Sequence, residues 1–298
     1  MEFRVESLGI AGGVTHVFAE LVRERLGLVY DQARYAQLAD RLAPLVVARG
    51  LGSLMDYYYV LKYSGDAAEW GRVMDALAIP ETYFWREIDQ VRAVVDHVVP
   101  ELVKEARGQT VRIWSVPCST GEEPLTLAMM LDQRGWFERA SIEILGSDAS
   151  PAALEKARAG LYGGRAFRSL PPELKERYFE PAGAQTWRLS AALRRRVQFD
   201  CVNLLDATQV AARARVPVIF CRNVFIYFAA AGIERIVNRL ADAMPSPAYL
   251  CLGAAESLLR LKTPFELREI GGAFVYVKDG AGRTQPPALT LGTAERVS

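Results

Sequence analysis

The stretch that most constrains this 298-residue chain is 111–131, VRIWSVPCSTGEEPLTLAMML. Val111 to Trp114 is an apolar run of the kind that forms a short buried strand. Small and polar residues follow. Apolar positions then recur at helical spacing through Leu125, Leu127, Ala128, Met130 and Leu131. Ser119 with Glu122, and Thr120 with Glu123, have the spacing of a capping box. Pro124 is tolerated only near the first helical turn, where its missing N–H costs nothing. A strand that turns tightly into a helix presents unpaired backbone N–H groups and the positive end of the helix dipole. Such a turn suits a nucleotide-like ligand. The same pattern also describes an ordinary strand–helix crossover, and Gly121 is the turn's single glycine.

Residues 142–148, IEILGSD, read as a second strand ending at Asp148. An acidic residue at about this distance beyond the first turn closes the second strand of a dinucleotide fold and bonds ribose hydroxyls. The run Asp-Ala-Ser-Pro is also a good helix start, so Asp148 as an N-cap for a helix beginning near Pro151 stands beside that reading.

Hydrophobic content of 51% with 24% charged residues is ordinary for a soluble globular protein. A net charge of +1 argues against a generally nucleic-acid-binding surface. No apolar stretch approaches the roughly 20 residues of a membrane-spanning helix, and MEFRVESLGI lacks the basic start and long apolar core of a secretion signal. Cys118, Cys201, Cys221 and Cys251 form no C-x-x-C pair and, three of them lying in strand-like runs, read as small buried residues of a reduced compartment. With His16 and His97 as the only histidines, a histidine-rich metal site is not expected. We expect a cytoplasmic protein.

Residues 13–78 read as helices: Val14, Val17, Phe18, Leu21 and Val22 recur at helical spacing, then Leu38, Leu42, Leu45 and Val46, then Leu54–Leu61 and Trp70–Leu77. This is a small helical domain over 1–88, which Pro80 closes. ETYFWRE at 81–87 is a dense aromatic-basic patch. It is either a packed hinge with Arg86 paired to Glu87 or solvated, or the place that sets Arg86 at the mouth of a cleft. From 111 onward strands and helices alternate, which implies a parallel sheet covered by helices. The alternation breaks over 160–200, where a helix near 172–179 and small strands near 186–190 and 196–200 are expected. That stretch also holds the basic run Arg194-Arg195-Arg196. FELREIGGAFVYVK, with its Gly-Gly turn, reads as a terminal hairpin. Residues 279–298 read as a disordered tail.

Four motifs, ETYFWRE at 81–87, STGEEP at 119–124, VNLL at 202–205 and RNVFIYF at 222–228, in this order and spacing resemble the chemotaxis receptor methyltransferases, CheR type. The resemblance spans roughly residues 13–278. It implies a Rossmann-like α/β methyltransferase sheet of seven strands, one of them antiparallel, over 89–278, with an all-helical N-terminal domain and a small β-subdomain inserted at 160–200. It implies methyl transfer from S-adenosylmethionine, giving S-adenosylhomocysteine, to glutamate side chains of chemoreceptors. Position by position, Glu123 would bind the cofactor's amino group, Asp148 the ribose, and Asn203 with Leu204 the adenine. Thr82 and Arg86 would lie along the cofactor, with Arg86 near its methionine end and the incoming carboxylate. Arg222, Asn223 and Tyr227 would line the same pocket. The catalytic set would be Arg86, Arg222 and Tyr227, and no metal is implied.

The chemistry supports a site without a general base. A glutamate side chain has a reference pKa of about 4.3 and is already ionised near neutral pH. Catalysis is then positioning and electrostatics, for which the planar fork of arginine suits a carboxylate. Three departures from the family pattern stand out: Pro80 in place of a usual Asn, Pro117 in the cofactor turn, and a second helix with only Arg34, Arg41 and Arg49 against Asp31 and Asp40, interrupted by Pro44. They leave open the alternative of a cofactor-binding, catalytically weak or inactive regulator of a signalling complex. A nicotinamide oxidoreductase is disfavoured by the lack of G-x-G-x-x-G. The segment 179–190 looks short for gripping a peptide tether, so we expect a monomer acting on chemoreceptor cytoplasmic helices without one, with Arg194, Arg195 and Arg196 meeting acidic substrate.

Overall fold

The computed structural model describes residues 12–78 and 81–279. Four helices come first: α1 (Gly12–Leu26), α2 (Tyr35–Ala48), α3 (Leu54–Tyr63) and α4 (Ala67–Leu77). Their apolar faces meet in one core around Phe18, Leu38, Leu42, Tyr57 and Leu61. Pro44 sits inside α2 without ending it. The buried Glu69 is satisfied by the Tyr57 hydroxyl at 2.7 Å and the Arg49 guanidinium at 2.6 Å. Pro80 and the expected tail from 280 onward lie outside the described residues.

After α5 (Ile88–Ala93), a single π-helical turn leads into α6 (Val99–Ala106). The alternating part follows as β1 (Val111–Ser115), α7 (Glu122–Gln133), α8 (Trp136–Arg139), β2 (Ile142–Asp148) and α9 (Pro151–Ala159). The alternation then breaks into β3 (Leu161–Gly163), α10 (Pro172–Tyr178), β4 (Phe179–Gly183), β5 (Thr186–Leu189) and α11 (Ala191–Arg194). It resumes with β6 (Val197–Cys201), α12 (Ala207–Arg213), β7 (Val218–Phe220), α13 (Ala230–Ala243) and β8 (Ala248–Cys251), and closes with the hairpin β9 (Glu266–Ile270) and β10 (Ala273–Lys278). Seven strands form one sheet in the order β6-β2-β1-β7-β8-β10-β9, with β10 antiparallel to both neighbours. The terminal hairpin and the mixed seven-stranded sheet are as expected. Among the described residues no helix is long and apolar enough to cross a membrane.

Several local expectations are corrected. The last strand of the 160–200 stretch, β6, pairs with β2 in the main sheet, so the separate three-stranded sheet, β3-β5-β4, covers only 161–189. Its strand β3 alternates exposed, buried, exposed over only three residues, too few to read as a strand, and β4 contains Pro181 and buries one side chain, so it shows no period-2 pattern. No capping box forms at α7. The residue before the helix is Gly121 at φ +95°, no side chain caps it, and the Thr120 hydroxyl instead bonds the Glu122 carboxylate. A side chain at Gly121 would also meet the Ala157 Cβ at 2.9 Å. Ser150, not Asp148, caps α9. Cys201 is exposed at the end of β6, whereas Cys118, Cys221 and Cys251 are buried.

The chain runs from β1 to β2 on one side and later returns to β7 on the other side of β1, a reversal of strand order that opens a crevice beyond the strand ends. The helical N-terminal unit covers this crevice. Val29 N–H donates to the Tyr227 carbonyl at 3.0 Å, and Asn203 Nδ2 donates to the Arg25 carbonyl at 2.9 Å. Asp75 of α4 accepts from the Ser150 hydroxyl at 2.5 Å and from Ala152 N–H at 3.2 Å, at the start of α9. At Gly27, with φ +77°, a Cβ would collide with the Phe228 ring. Gly27→Ala is therefore expected to lower the thermal midpoint, at a cost of at least about 1 kcal/mol, because the backbone conformation and the ring both oppose a methyl group. An unchanged midpoint in a melting experiment would contradict this close approach.

Candidate functional site

The crevice is walled by the segments that leave the C-terminal ends of β1, β2 and β7. These are Val116–Thr120, Asp148–Ser150 and Arg222–Val224, with Val202–Leu204 beyond β6. Thr82, Arg86, Glu123, Asp148, Asn203, Leu204, Arg222, Asn223 and Tyr227 all line this one cleft, although they are spread from position 82 to position 227 of the sequence.

Glu123 stands in the first turn of α7. Its Oε1 accepts from the Ser115 hydroxyl at 2.7 Å, and its Oε2 lies 3.0 Å from Arg222 Nε, off the line of a hydrogen bond. Burial pushes the Glu123 carboxyl above the ordinary carboxylate range, and the Arg222 charge pulls it back. Its neighbour Glu122 is buried, accepts from the Thr120 hydroxyl and is hydrogen-bonded by Thr82; burial raises it likewise. Asp148 accepts backbone N–H bonds from Ser119 and Ser150, each at 2.8 Å. Burial raises its pKa, and the backbone donors act in the opposite direction. One oxygen takes each bond, so both keep acceptor capacity toward the cleft.

Arg222 is 5% exposed. Its Nη2 donates to the Arg86 carbonyl at 2.6 Å and its Nη1 to the Glu87 carbonyl at 3.3 Å. The guanidinium thus fastens the 81–87 segment to the end of β7. Arg86 itself is flanked by two residues in the left-handed region, Trp85 at φ 71° and Glu87 at φ 47°. Its Nη1 donates to the Glu81 carbonyl at 2.5 Å, and its Nε is 3.7 Å from Glu87. Beside it the Arg168 guanidinium lies 3.6 Å from the Tyr83 ring centroid and pairs with Glu81. Asn223, at φ 60°, donates through Nδ2 to Glu87 at 3.2 Å. The side chain of Asn203 is held at both ends, by the Arg25 carbonyl and by Leu205 N–H at 2.9 Å. Its backbone is engaged as well, the N–H donating to Gln209 Oε1 and the carbonyl accepting from Asp206 N–H, each at 2.9 Å, so Asn203 borders the cleft as a fixed wall beside Leu204.

The sequence reading missed the N-terminal unit's share of the lining: Tyr30, Arg34, Arg41 and Asp75. Arg34 and Arg41 come from the weakly basic helical stretch, so the few arginines there are placed at the cleft. Arg194, Arg195 and Arg196 are not among the lining residues. Arg194 bonds the Ala159 carbonyl at 3.0 Å and Arg196 lies 4.3 Å from the Phe137 ring centroid, so those two serve the fold.

The donor set decides what fits. Glu122 and Glu123 stand at the helix start, where a dinucleotide fold would cradle a diphosphate, and would repel one. Carboxylates there, with hydroxyl-binding capacity at Asp148 and apolar Val116, Ala149 and Leu204, suit a nucleoside bearing a cationic amino-acid end. Among the described residues no group of His, Cys, Asp and Glu is arranged to hold a metal ion.

Comparisons agree with this chemistry. The family model for the CheR methyltransferase SAM binding domain matches residues 80–273, and that for the CheR methyltransferase all-alpha domain matches residues 16–78. Chemotaxis protein methyltransferase 1 of Pseudomonas aeruginosa is 32% identical over 269 residues, covering 87% of this chain and 96% of that protein. Chemotaxis protein methyltransferase 2 of Vibrio cholerae is 29% identical over 269 residues, covering 90% and 93%. The probable biofilm formation methyltransferase WspC of Pseudomonas putida is 32% identical over 276 residues, covering 92% of this chain and 64% of that protein.

Asp148→Ala leaves two backbone donors unmet at the cofactor cleft. It is expected to weaken S-adenosylhomocysteine binding by roughly 1–3 kcal/mol, measured by titration calorimetry; unchanged affinity would remove Asp148 from the site. The matched domains cover nearly the whole described chain, and the cleft has the donor set they require: the protein belongs to the CheR methyltransferase family and is an S-adenosylmethionine-dependent methyltransferase.

Proposed function

We propose that this enzyme methylates glutamate side chains on the cytoplasmic helices of chemoreceptors, in a chemosensory pathway. The observation that supports this best is that Arg86, Arg222 and Tyr227 line the same cleft as the carboxylates Glu123 and Asp148, with Glu123 3.0 Å from Arg222 Nε. Two of the relatives are named as chemotaxis protein methyltransferases, and one as a probable biofilm formation methyltransferase, which makes biofilm formation the second reading of the pathway's output.

When bound, the cofactor supplies a methyl group on a cationic sulfur, which a carboxylate oxygen takes up as the carbon–sulfur bond breaks and the electron pair stays on sulfur. In this reading Glu123 holds the cofactor's ammonium, Asp148 its ribose hydroxyls, and Asn203 and Leu204 border the adenine, with Thr82, Arg222 and Asn223 shaping the wall. Arg86 orients the incoming glutamate from the cleft mouth. Two anchors, Glu81 and Glu87, restrain its guanidinium, so it steers the carboxylate without quenching it. Tyr227 borders the reacting end, and Arg222 acts there through the Arg86 carbonyl. Residues 1–88 and 89–278 form the two units between which substrate enters.

The protein would act as a cytoplasmic monomer. Strands β4 and β5 are joined by Ala184 and Gln185 alone, a hairpin with little loop to grip an added peptide, which supports action without a C-terminal receptor tether. The test is transfer of labelled methyl from S-adenosylmethionine to receptor-containing membranes, with receptors carrying or lacking their C-terminal peptide. Base-labile label at similar rates on both is expected. Arg86→Ala and Tyr227→Phe should lower turnover by about tenfold or more while cofactor affinity changes little. Absence of base-labile label with wild-type enzyme would refute the proposed substrate; full turnover in both variants would refute the assigned pocket.

A further inference from the structure

Glu256 lies in the loop after β8 and is not among the residues that line the cleft. Its carboxylate nevertheless accepts four main-chain N–H bonds. Oε2 takes Asn223 at 2.8 Å and Gly253 at 2.7 Å; Oε1 takes Val224 at 2.7 Å and Phe225 at 2.6 Å. Three of these donors are consecutive, and they converge because Asn223 is left-handed, at φ 60°, while Val224 follows at φ −120°, ψ −35°. Successive N–H groups turned inward in this way form a nest that attracts an anion. Here the anion is built into the chain.

The nest sits on the RNVFIYF segment. Tyr227 N–H bonds the Val224 carbonyl at 3.1 Å and Phe228 N–H the Phe225 carbonyl at 3.0 Å, so the turn that carries Tyr227 is built directly on the residues Glu256 holds. The approach is too close for a side chain at Gly253, whose Cβ would lie 2.9 Å from Glu256 Oε2 and collide with Asn223 Nδ2. Each carboxylate oxygen serves two donors. An amide in its place would set its own N–H groups against two of them, so even an isosteric change is felt.

We propose that Glu256 is a positioning residue of the methyl-transfer site: it fixes the 223–228 backbone and through it the placement of Tyr227. The inference rests on the reading that Tyr227 borders the reacting end. Charge-assisted bonds of this kind are individually strong, and their loss loosens a wall of the cleft without removing any group that touches the ligand.

The test compares wild type, Glu256→Gln, Glu256→Asp, Tyr227→Phe and the double variant Glu256→Gln/Tyr227→Phe. Amide hydrogen exchange of the 222–228 peptide is read without substrate, and turnover and S-adenosylhomocysteine affinity are read beside it. Glu256→Gln is expected to speed exchange in 222–228 by about tenfold or more, the scale of a lost charged hydrogen bond, with exchange in the N-terminal helices unchanged. Turnover should fall by a similar factor while cofactor affinity moves by less than about threefold, with Glu256→Asp intermediate and the double variant no worse than the poorer single one. Unchanged exchange at 222–228 overturns the inference whatever the substrate proves to be. So do multiplying effects in the double variant, or losses of turnover, affinity and melting point in parallel. If Tyr227→Phe keeps full turnover while exchange responds to Glu256→Gln, the Tyr227 reading fails and the brace remains without its catalytic consequence. Should Glu256→Gln not fold, the same cycle is run with Glu256→Asp.

Discussion

The buried guanidinium of Arg222 is the contact on which the cleft depends. It draws together three segments that are remote in sequence: the carbonyls of Arg86 and Glu87, the first turn of α7 through Glu123, and the end of β7 to which it belongs. A buried cation is costly unless its donors are met, and replacing one member of such a set leaves the others unpaired. That pairing also governs Glu123. Burial alone would favour its neutral form, and the adjacent Arg222 charge favours the carboxylate. The same arginine therefore holds the backbone of the 81–87 segment and sets the charge of the cleft floor.

Backbone strain is gathered at the same place. Of the five non-glycine residues with positive φ among those described, Trp85, Glu87, Ser119 and Asn223 border or brace the cleft, and only Arg107 lies at a helix end elsewhere. Each is held by bonds that favour the strained form: Trp85 by Thr126, Glu87 by Ala254 and Asn223, Ser119 by Asp148, and Asn223 by Glu256. Such conformations persist where surrounding contacts determine them. The outcome is a preorganised pocket, which suits a reaction that needs orientation and charge placement more than proton transfer.

The β1–turn–α7 unit was legible because an apolar run broken only by the exposed Arg112, a turn of small and polar residues and a helical period follow one another. The terminal hairpin was legible from its Gly-Gly turn. The nine candidate residues line one cleft; the motif match located eight of them, the acidic end of its strand pointed to Asp148, and no local pattern revealed their partners. What local pattern could not show is instructive. The spacing of Ser119 and Thr120 matched a capping box, yet the turn hands Ser119 N–H to Asp148 and needs Gly121 at the helix start. Strand β3 is too short for its alternation to be read, and β4 carries none. Cys201 reads like its buried counterparts but falls on the last residue of an edge strand. Glu256 has no motif at all: its role arises from long-range folding, which brings its loop beside residues some thirty positions earlier.

The most direct measurement is S-adenosylhomocysteine affinity in Arg222→Lys, taken alongside a thermal melt. Lysine keeps the positive charge but cannot bond two carbonyls while pairing with a carboxylate from one planar group. If Arg222 organises the cleft as described, affinity falls by about tenfold or more, the scale of one lost charged hydrogen bond, and the melting point falls with it, because the two carbonyls and Glu123 lose their buried partner. Affinity within about twofold of wild type in a folded variant would contradict the account, because charge alone, and not the three-way tie, would then be sufficient.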